Sequence, residues 1–418
     1  MPVPHGAKAR PVEPVTLVAD PAAVADLRSR LRGTRWPDAP EGSGWSLGTD
    51  VGYLRDLVRT WAEDFDWAAQ VAALARHPRF RAEVGPDRLG VHLVHVRATP
   101  APDGTPALPL LLCHGWPDSS WRYTKVIDLL TDPGAHGADP ADAFDVVVPE
   151  MPGFGWSDAP RGAPLDSIAV AGLWAELMTT LGYPRFGAAG GDVGSHVSRY
   201  LALDHPERLV GVHRTDAGLP SPSTDLSALT PEERDWFAEV TRWGAVEGAY
   251  AAIHRTRPQT AAVGLTDSPA GLAAWIVEKL RAWSDCGPDG DLDAAYSRDE
   301  ILTLISQYWF TGTIGSSMRM YAANAAIDPA QLARRVEVPS GFAIFGGDVV
   351  RPPRAWLERM ANAVRITEPE HGGHFAAFEQ PEVYAAELRA FFRPLRAAAS
   401  ASSAAPASPT AHTSTSQR

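Results

Sequence analysis

GGDVGS, residues 190–195, decides how this chain folds. It follows a short apolar run, RFGAAG at 185–190, that reads as a buried strand, and it opens a helix-like run at 193–204. A strand that passes into a helix through glycines makes a tight turn. The residue at its tip, Asp192, then sits in strained backbone space, with Gly190, Gly194 and Ser195 as small neighbours. Such a turn presents a nucleophile. The motif alone also allows a plainer reading, in which Asp192 caps the helix behind it.

If Asp192 is the nucleophile, its chemistry is restricted. A serine alkoxide attacking an sp³ carbon would leave an ether that water cannot readily remove. A carboxylate leaves an ester, whose carbonyl water can attack. An aspartate here points away from ester cleavage and towards opening of an epoxide or a carbon–halogen bond.

On either side of this motif, apolar runs at 91–97, 108–113, 144–149, 185–190, 208–214, 341–346 and 363–367 read as strands, with helical patterns at about 119–131, 166–181 and 193–204. Short buried strands joined by helices predict an α/β fold: a mainly parallel sheet with helices on both faces. Residues 1–18 are Pro-rich and extended, and three helices come after them, from Asp20–Pro21 and over about 50–62 and 66–76. This segment, 1–90, has too little apolar surface to fold alone and is expected to pack on the core of 91–217 and 336–396. Residues 218–335 read as helical, at about 231–255, 269–284, 298–312 and 314–325. A helical insertion there is expected to cap the strand C-terminal ends, where ligands bind. From 397 to 418 the chain is Ala, Ser, Thr and Pro without periodicity, a disordered tail.

Three further motifs fall where this chemistry needs them. HGWPDSSWR, 114–122, follows a strand and offers the backbone N–H of Trp116 as one oxyanion donor; Val193, after Asp192, offers the other. Ser119 in the same stretch is also a natural helix starter. FGGDVVRPP, 345–353, puts Asp348 just past a strand, although an Asp beside Gly347 is also a common turn residue. HGGHFAAFEQPE, 371–382, holds His374 in the loop before the last helix, where a base belongs; His371 is read as structural. The chain order Asp192, Asp348, His374 is nucleophile, acid, base.

RLRGTRWPD, WAEDFDW, HGWPDSSW, MPGFGWSD, GGDVGSHVSRYLA, SPAGLAAWIVEKL, YWFTGTIGSSMRMY and GGHFAAFEQPE resemble, in the same order, segments of the microsomal-type epoxide hydrolases, over about residues 12–393. The resemblance implies an α/β-hydrolase fold with a helical cap and an N-terminal epoxide-hydrolase segment. It implies conversion of an epoxide and water to a vicinal diol through an aspartyl ester, without metal or organic cofactor. Asp192 would be nucleophile, His374 base, and Asp348 acid, where some members have Glu. It also singles out two cap tyrosines, Tyr250 in GAYAAIHRTRP and Tyr321 in SSMRMYAAN, which the residues alone would not have selected. Activity is expected to fall on the acid side as His374 protonates. Two departures stand out. Val193 replaces the Trp many relatives carry after the nucleophile, and the membrane anchor of the animal enzymes has no counterpart. A soluble bacterial-type member is therefore expected.

Composition limits the partners. Net charge is −12 with no dense basic cluster, which disfavours nucleic acid and anionic lipid. No run approaches the length of a membrane span, and the N-terminus lacks the apolar core of a signal peptide. Cys113 and Cys286 lie far apart, as isolated thiols of a reducing, cytoplasmic compartment do. A homodimer is compatible with all of this. The sequence leaves two main alternatives: a haloalkane or haloacid dehalogenase using the same Asp192, and a non-catalytic binding protein on this scaffold. A serine esterase is weaker, because Ser195 lies three residues past the elbow tip.

Overall fold

Leu108–Cys113, the most uniformly apolar of the strand-like runs, forms one of the nine strands that the described residues contribute to a single sheet: β1 (Val12–Pro14), β2 (Arg79–Val84), β3 (Leu89–Val96), β4 (Leu108–Cys113), β5 (Phe144–Pro149), β6 (Phe186–Gly190), β7 (Leu209–Arg214), β8 (Val336–Ala343) and β9 (Ala361–Thr367). The spatial order is β1-β2-β3-β5-β4-β6-β7-β8-β9. From β5 to β9 every neighbouring pair is parallel, while β1, β2 and β3 join antiparallel. The computed structural model describes residues 12–403 except 219 and 221–223. Leu110, Leu111 and Leu112 of β4 and Val146, Val147 and Val148 of β5 are all fully buried. Consecutive rather than alternating burial means that both sheet faces are covered, and it explains why these runs read as continuously apolar.

One expectation needs correction. The N-terminal segment is not purely helical, because it contributes β1 and β2 to the sheet edge. RFRAEV carries three charges in six residues, and only pairing with β3 makes it a strand. Its helices do pack on the rest of the molecule. In Val51–Glu63, Leu54, Leu57, Val58 and Trp61 bury one face at i, i+3, i+4, i+7 spacing, and the Trp61 indole donates to Ser306 Oγ at 2.9 Å.

Between β7 and β8 the chain is helical, with Pro231–Val246, Ala249–Thr256, Pro258–Asp267, Pro269–Trp283, Arg298–Thr311 and Ile314–Asn324 as its longer helices. The run expected at 231–255 is two helices that part at Glu247 and Gly248. Pro258–Asp267 was not anticipated, because Thr, Val and Gly make PQTAAVGLTD a weak helix former. It packs closely on Ile314–Asn324, where a Cβ on Gly315 would lie 2.9 Å from Ala262. The last helix runs from Pro381 to Ser403, into the stretch expected to be tail from 397; the rest of that stretch, 404–418, lies outside the described residues. Among the described residues no helix is long and apolar enough to cross a membrane.

Candidate active site

β6 ends at Gly190 and its helix begins at Val193, which leaves two residues to reverse the chain. Asp192 takes φ +56° and ψ −131°, the strained region that L residues avoid. The turn closes only because its neighbours lack side chains: a Cβ on Gly194 would lie 2.0 Å from the Cys113 carbonyl oxygen. The Asp192 side chain makes no capping bond to the helix, so the capping reading falls. Its Oδ1 instead accepts the Trp116 N–H at 2.8 Å, and the Val193 N–H also bonds the carboxylate. The two donors named from sequence therefore meet on one oxygen-bearing group. Gly115 makes room for this, since a Cβ there would sit 2.5 Å from Asp192 Cβ.

His374 lies in the loop between β9 and the last helix. Its N–H donates to the Trp283 carbonyl at 2.8 Å, which pins the loop to the end of Pro269–Trp283. Its Nδ1 is 2.9 Å from Asp348 Oδ1, and its Nε2 is 3.4 Å from Asp192 Oδ2. Asp348 also accepts the N–H of Val349 at 2.7 Å, so it holds its own turn as well as the His374 ring. The three groups singled out in the sequence are thus brought into one line. Ser119 accepts the Trp121 N–H at 3.1 Å and starts a short 3₁₀ turn, in line with its helix-starting reading.

Burial alone would lower the proton affinity of His374, but Asp348 on one side and Asp192 on the other outweigh it and raise its pKa to about 10. Burial would likewise discourage ionisation of Asp192. His374 and the N–H groups of Val193 and Trp116 win, and hold it below the usual carboxylate range. The resting arrangement is a carboxylate–imidazolium–carboxylate chain.

Tyr250 comes from Ala249–Thr256 and Tyr321 from Ile314–Asn324, and their rings lie 6.0 Å apart at 77°. Trp116 lies against both, stacked on Tyr250 and edge-on to Tyr321. Burial raises both phenol pKa values, and Asp192 is close enough for its charge to raise them further. The buried Tyr321 hydroxyl makes no hydrogen bond of ordinary geometry. His371 is exposed on the surface, 3.9 Å from Asp285, and takes no part in this cluster. Ser195 lies inside the helix and donates to the Asp216 carbonyl at 3.0 Å, which leaves the serine reading without a nucleophile.

Three polar groups that shape the site escaped the sequence reading. Asp216, just past β7, accepts the N–H of Asp192 at 2.8 Å. Arg122 forms a buried ion pair with Asp118 and donates to the His374 carbonyl at 3.1 Å. Glu150, fully buried at the end of β5, takes Ser120 Oγ, Gln307 Nε2, the Trp156 N–H and His92 Nδ1, all within 3.1 Å. Asp118 and Arg122 sat in the quoted HGWPDSSWR at helical i, i+4 spacing, a signal that was there to be read. Asp216 and Glu150 carry no local pattern.

An aspartate on the elbow of a mostly parallel sheet, with a second aspartate after β8 and a histidine after β9, is the layout of the α/β-hydrolase fold. The chain matches the family model described as "alpha/beta hydrolase fold" over residues 109–242, and that described as "Epoxide hydrolase N terminus" over 12–123. It is 41% identical over 390 residues to a "Putative epoxide hydrolase" of Stigmatella aurantiaca (92% of this chain, 86% of that protein) and 33% identical over 415 residues to "Epoxide hydrolase 1" of Sus scrofa (93% and 90%). Among solved structures it resembles the juvenile hormone epoxide hydrolase of the silkworm Bombyx mori, with TM-score 0.83, 28% identity, and 93% and 96% of the two chains covered. It resembles the Aspergillus niger epoxide hydrolase at TM-score 0.79 and 26% identity, with 93% and 97% covered. The chain belongs to the epoxide hydrolase family. It is a hydrolase acting on an epoxide and water, and the dehalogenase and binding-protein alternatives give way.

Proposed function

We propose that Asp192, His374, Asp348, Tyr250 and Tyr321 carry out this reaction, with the N–H groups of Trp116 and Val193 as oxyanion donors. An epoxide enters between sheet and cap with its oxygen at the two phenols. Asp192 attacks a ring carbon from the opposite side. The C–O bond breaks, and the alkoxide takes a phenolic proton. The product of this half is a β-hydroxyalkyl ester.

Alkylation also removes the negative charge of Asp192, and that charge was raising the proton affinity of His374 and of both phenols. His374 now gives its proton to the phenolate left by the first half and becomes neutral. It then takes a proton from water, whose oxygen adds to the aspartyl carbonyl. Trp116 and Val193 N–H groups, already trained on this oxygen in the resting state, hold the oxyanion. Collapse expels the diol oxygen, which takes the proton of the newly formed Asp192 carboxyl group, and the carboxylate–imidazolium pair re-forms. The acid limb of the pH profile therefore belongs to His374 in the ester rather than in the resting enzyme.

The observation that carries this reading is the position of His374 Nε2, 3.4 Å from the Asp192 carboxylate, with Nδ1 engaged by Asp348. A base held there can direct water at an ester on Asp192. We further assign 218–335 as the cap over this site and 1–90 as the segment that supports it, and propose a cytoplasmic location, which the free, buried Cys113 and Cys286 support.

The test is intact-protein mass spectrometry of His374→Gln after mixing with styrene oxide. The protein should gain one substrate mass, located on Asp192 by peptide mapping. A variant that gains no mass, while the parent turns the same epoxide over, would refute these roles.

A further inference from the structure

His254 lies one helical turn beyond Tyr250 in Ala249–Thr256 and is fully buried. Its ring is enclosed by residues of the site: Trp116 at 4.6 Å and 83°, Tyr321 at 4.9 Å and 81°, and Tyr250 at 5.4 Å and 87°. None of the chemistry above uses it.

Its protonation is settled by its surroundings. The Trp275 indole N–H, 3.3 Å away, can only donate, so His254 Nε2 must accept. Burial first, then Lys279 and Arg255, lower the imidazole pKa to about 3, so the ring is neutral. A neutral imidazole that accepts at Nε2 carries its hydrogen on Nδ1. That Nδ1–H is buried and has no hydrogen-bond partner. The Trp283 indole, its ring centre 5.1 Å from that of Tyr250, likewise has a buried N–H without a hydrogen-bond partner. A buried donor without an acceptor is costly to maintain, and both of these belong to rings packed against that of Tyr250, the phenol assigned to the epoxide oxygen. A plain hydrocarbon epoxide would leave both unpaired.

Building on the catalytic assignment above, we propose that His254 is a specificity-determining residue whose Nδ1–H binds an ether, carbonyl or hydroxyl oxygen of the substrate close to the oxirane. The preferred substrates are then oxygenated epoxides, such as glycidyl ethers, rather than alkyl or aryl-alkyl epoxides. Trp275 contributes by fixing the tautomer.

The test compares kcat/KM for phenyl glycidyl ether with that for 4-phenyl-1,2-epoxybutane, in which a methylene replaces the ether oxygen. The ratio of the two in the parent is set against the ratio in His254→Phe, which cancels their intrinsic reactivities. Loss of one neutral hydrogen bond should lower the ratio roughly tenfold. Trp275→Phe keeps His254 but frees its tautomer, and should lower the ratio part of the way even if His254→Phe does not fold. Parallel losses on both substrates, with the ratio unchanged in either variant, would overturn the proposal and leave His254 as packing. Failure of the catalytic assignment looks different: His374→Gln would then trap no ester with either epoxide.

Discussion

The carboxylate of Asp216 accepts the backbone N–H of Asp192 at 2.8 Å, so the amide of the nucleophile is tied to a second acid on the neighbouring strand end. Its other oxygen accepts the Gly218 N–H at 3.0 Å, and its carbonyl takes Ser195 Oγ. Strain at Asp192 persists only because such contacts over-determine the turn. A hydrogen bond to a charged acceptor contributes about 1.5–3 kcal/mol. Asp216→Ala should therefore slow alkylation some ten- to hundredfold, read as the single-turnover rate of adduct formation by stopped flow, with Asp216→Asn in between because its amide oxygen still accepts. An alanine variant that alkylates at the parental rate would mean that the elbow holds itself.

The phenols supply a second prediction. Tyr250 and Tyr321 are assigned to the leaving oxygen, and once the ester has formed they serve only to take up the proton of His374. Replacing either with Phe should slow adduct formation by about a hundredfold, within the range of a positioned general acid. Decay of the preformed ester should change far less, because the remaining phenol still takes up the His374 proton. A variant in which both halves slow equally would instead indicate a displaced cap.

Asp216 also marks the limit of what the sequence made legible. Seven of nine strands were readable because the central ones are apolar along their whole length, and Asp192, Asp348 and His374 because each sits in a short motif tied to a strand end. β2 was not readable: its charged RFRAEV becomes a strand through pairing with Leu89–Val96, a tertiary effect. Asp216 acts through a backbone N–H 24 positions away and Glu150 through side chains 30 to 157 positions away, and nothing in their own neighbourhood announces it. Tyr250 and Tyr321, 71 positions apart, needed a resemblance to a known family to be chosen at all.

Glu150 gives a prediction about stability. Burial works against its charge, but His92 and Arg79 nearby and the Trp156 N–H prevail and lower its pKa to about 2. Through Gln307 it also ties the sheet to the cap. Removing one member of a buried charged network costs about 3–5 kcal/mol. Glu150→Ala should lower Tm by several degrees in a thermal melt at neutral pH. A carboxylate with a depressed pKa stabilises the fold above its unfolded pKa and loses that effect as pH falls towards 2. The gap between parent and variant should therefore close in acid. A gap that is constant with pH would remove the charge from this account.

His374 makes the opposite signature on the alkaline side. Its pKa is raised from an unfolded value near 6.5 to about 10. A cationic group with a raised pKa stabilises the fold fully below its unfolded pKa, and the contribution fades from there and is gone once pH has passed the folded pKa. Tm of the parent should thus decline between roughly pH 6.5 and 10, while His374→Gln, which has no proton to lose there, should decline less. The same charge pair separates the two halves of the reaction. Alkylation needs only ionised Asp192 and should be flat through neutral pH. Ester hydrolysis needs neutral His374 and should rise with pH to a plateau, at a midpoint below 10 because the Asp192 charge is then masked. Single-turnover rates of the two phases between pH 5 and 10 resolve this. If hydrolysis tracks a midpoint near 10, the ester has not relieved the histidine, and the proposed hand-over of its proton after alkylation fails.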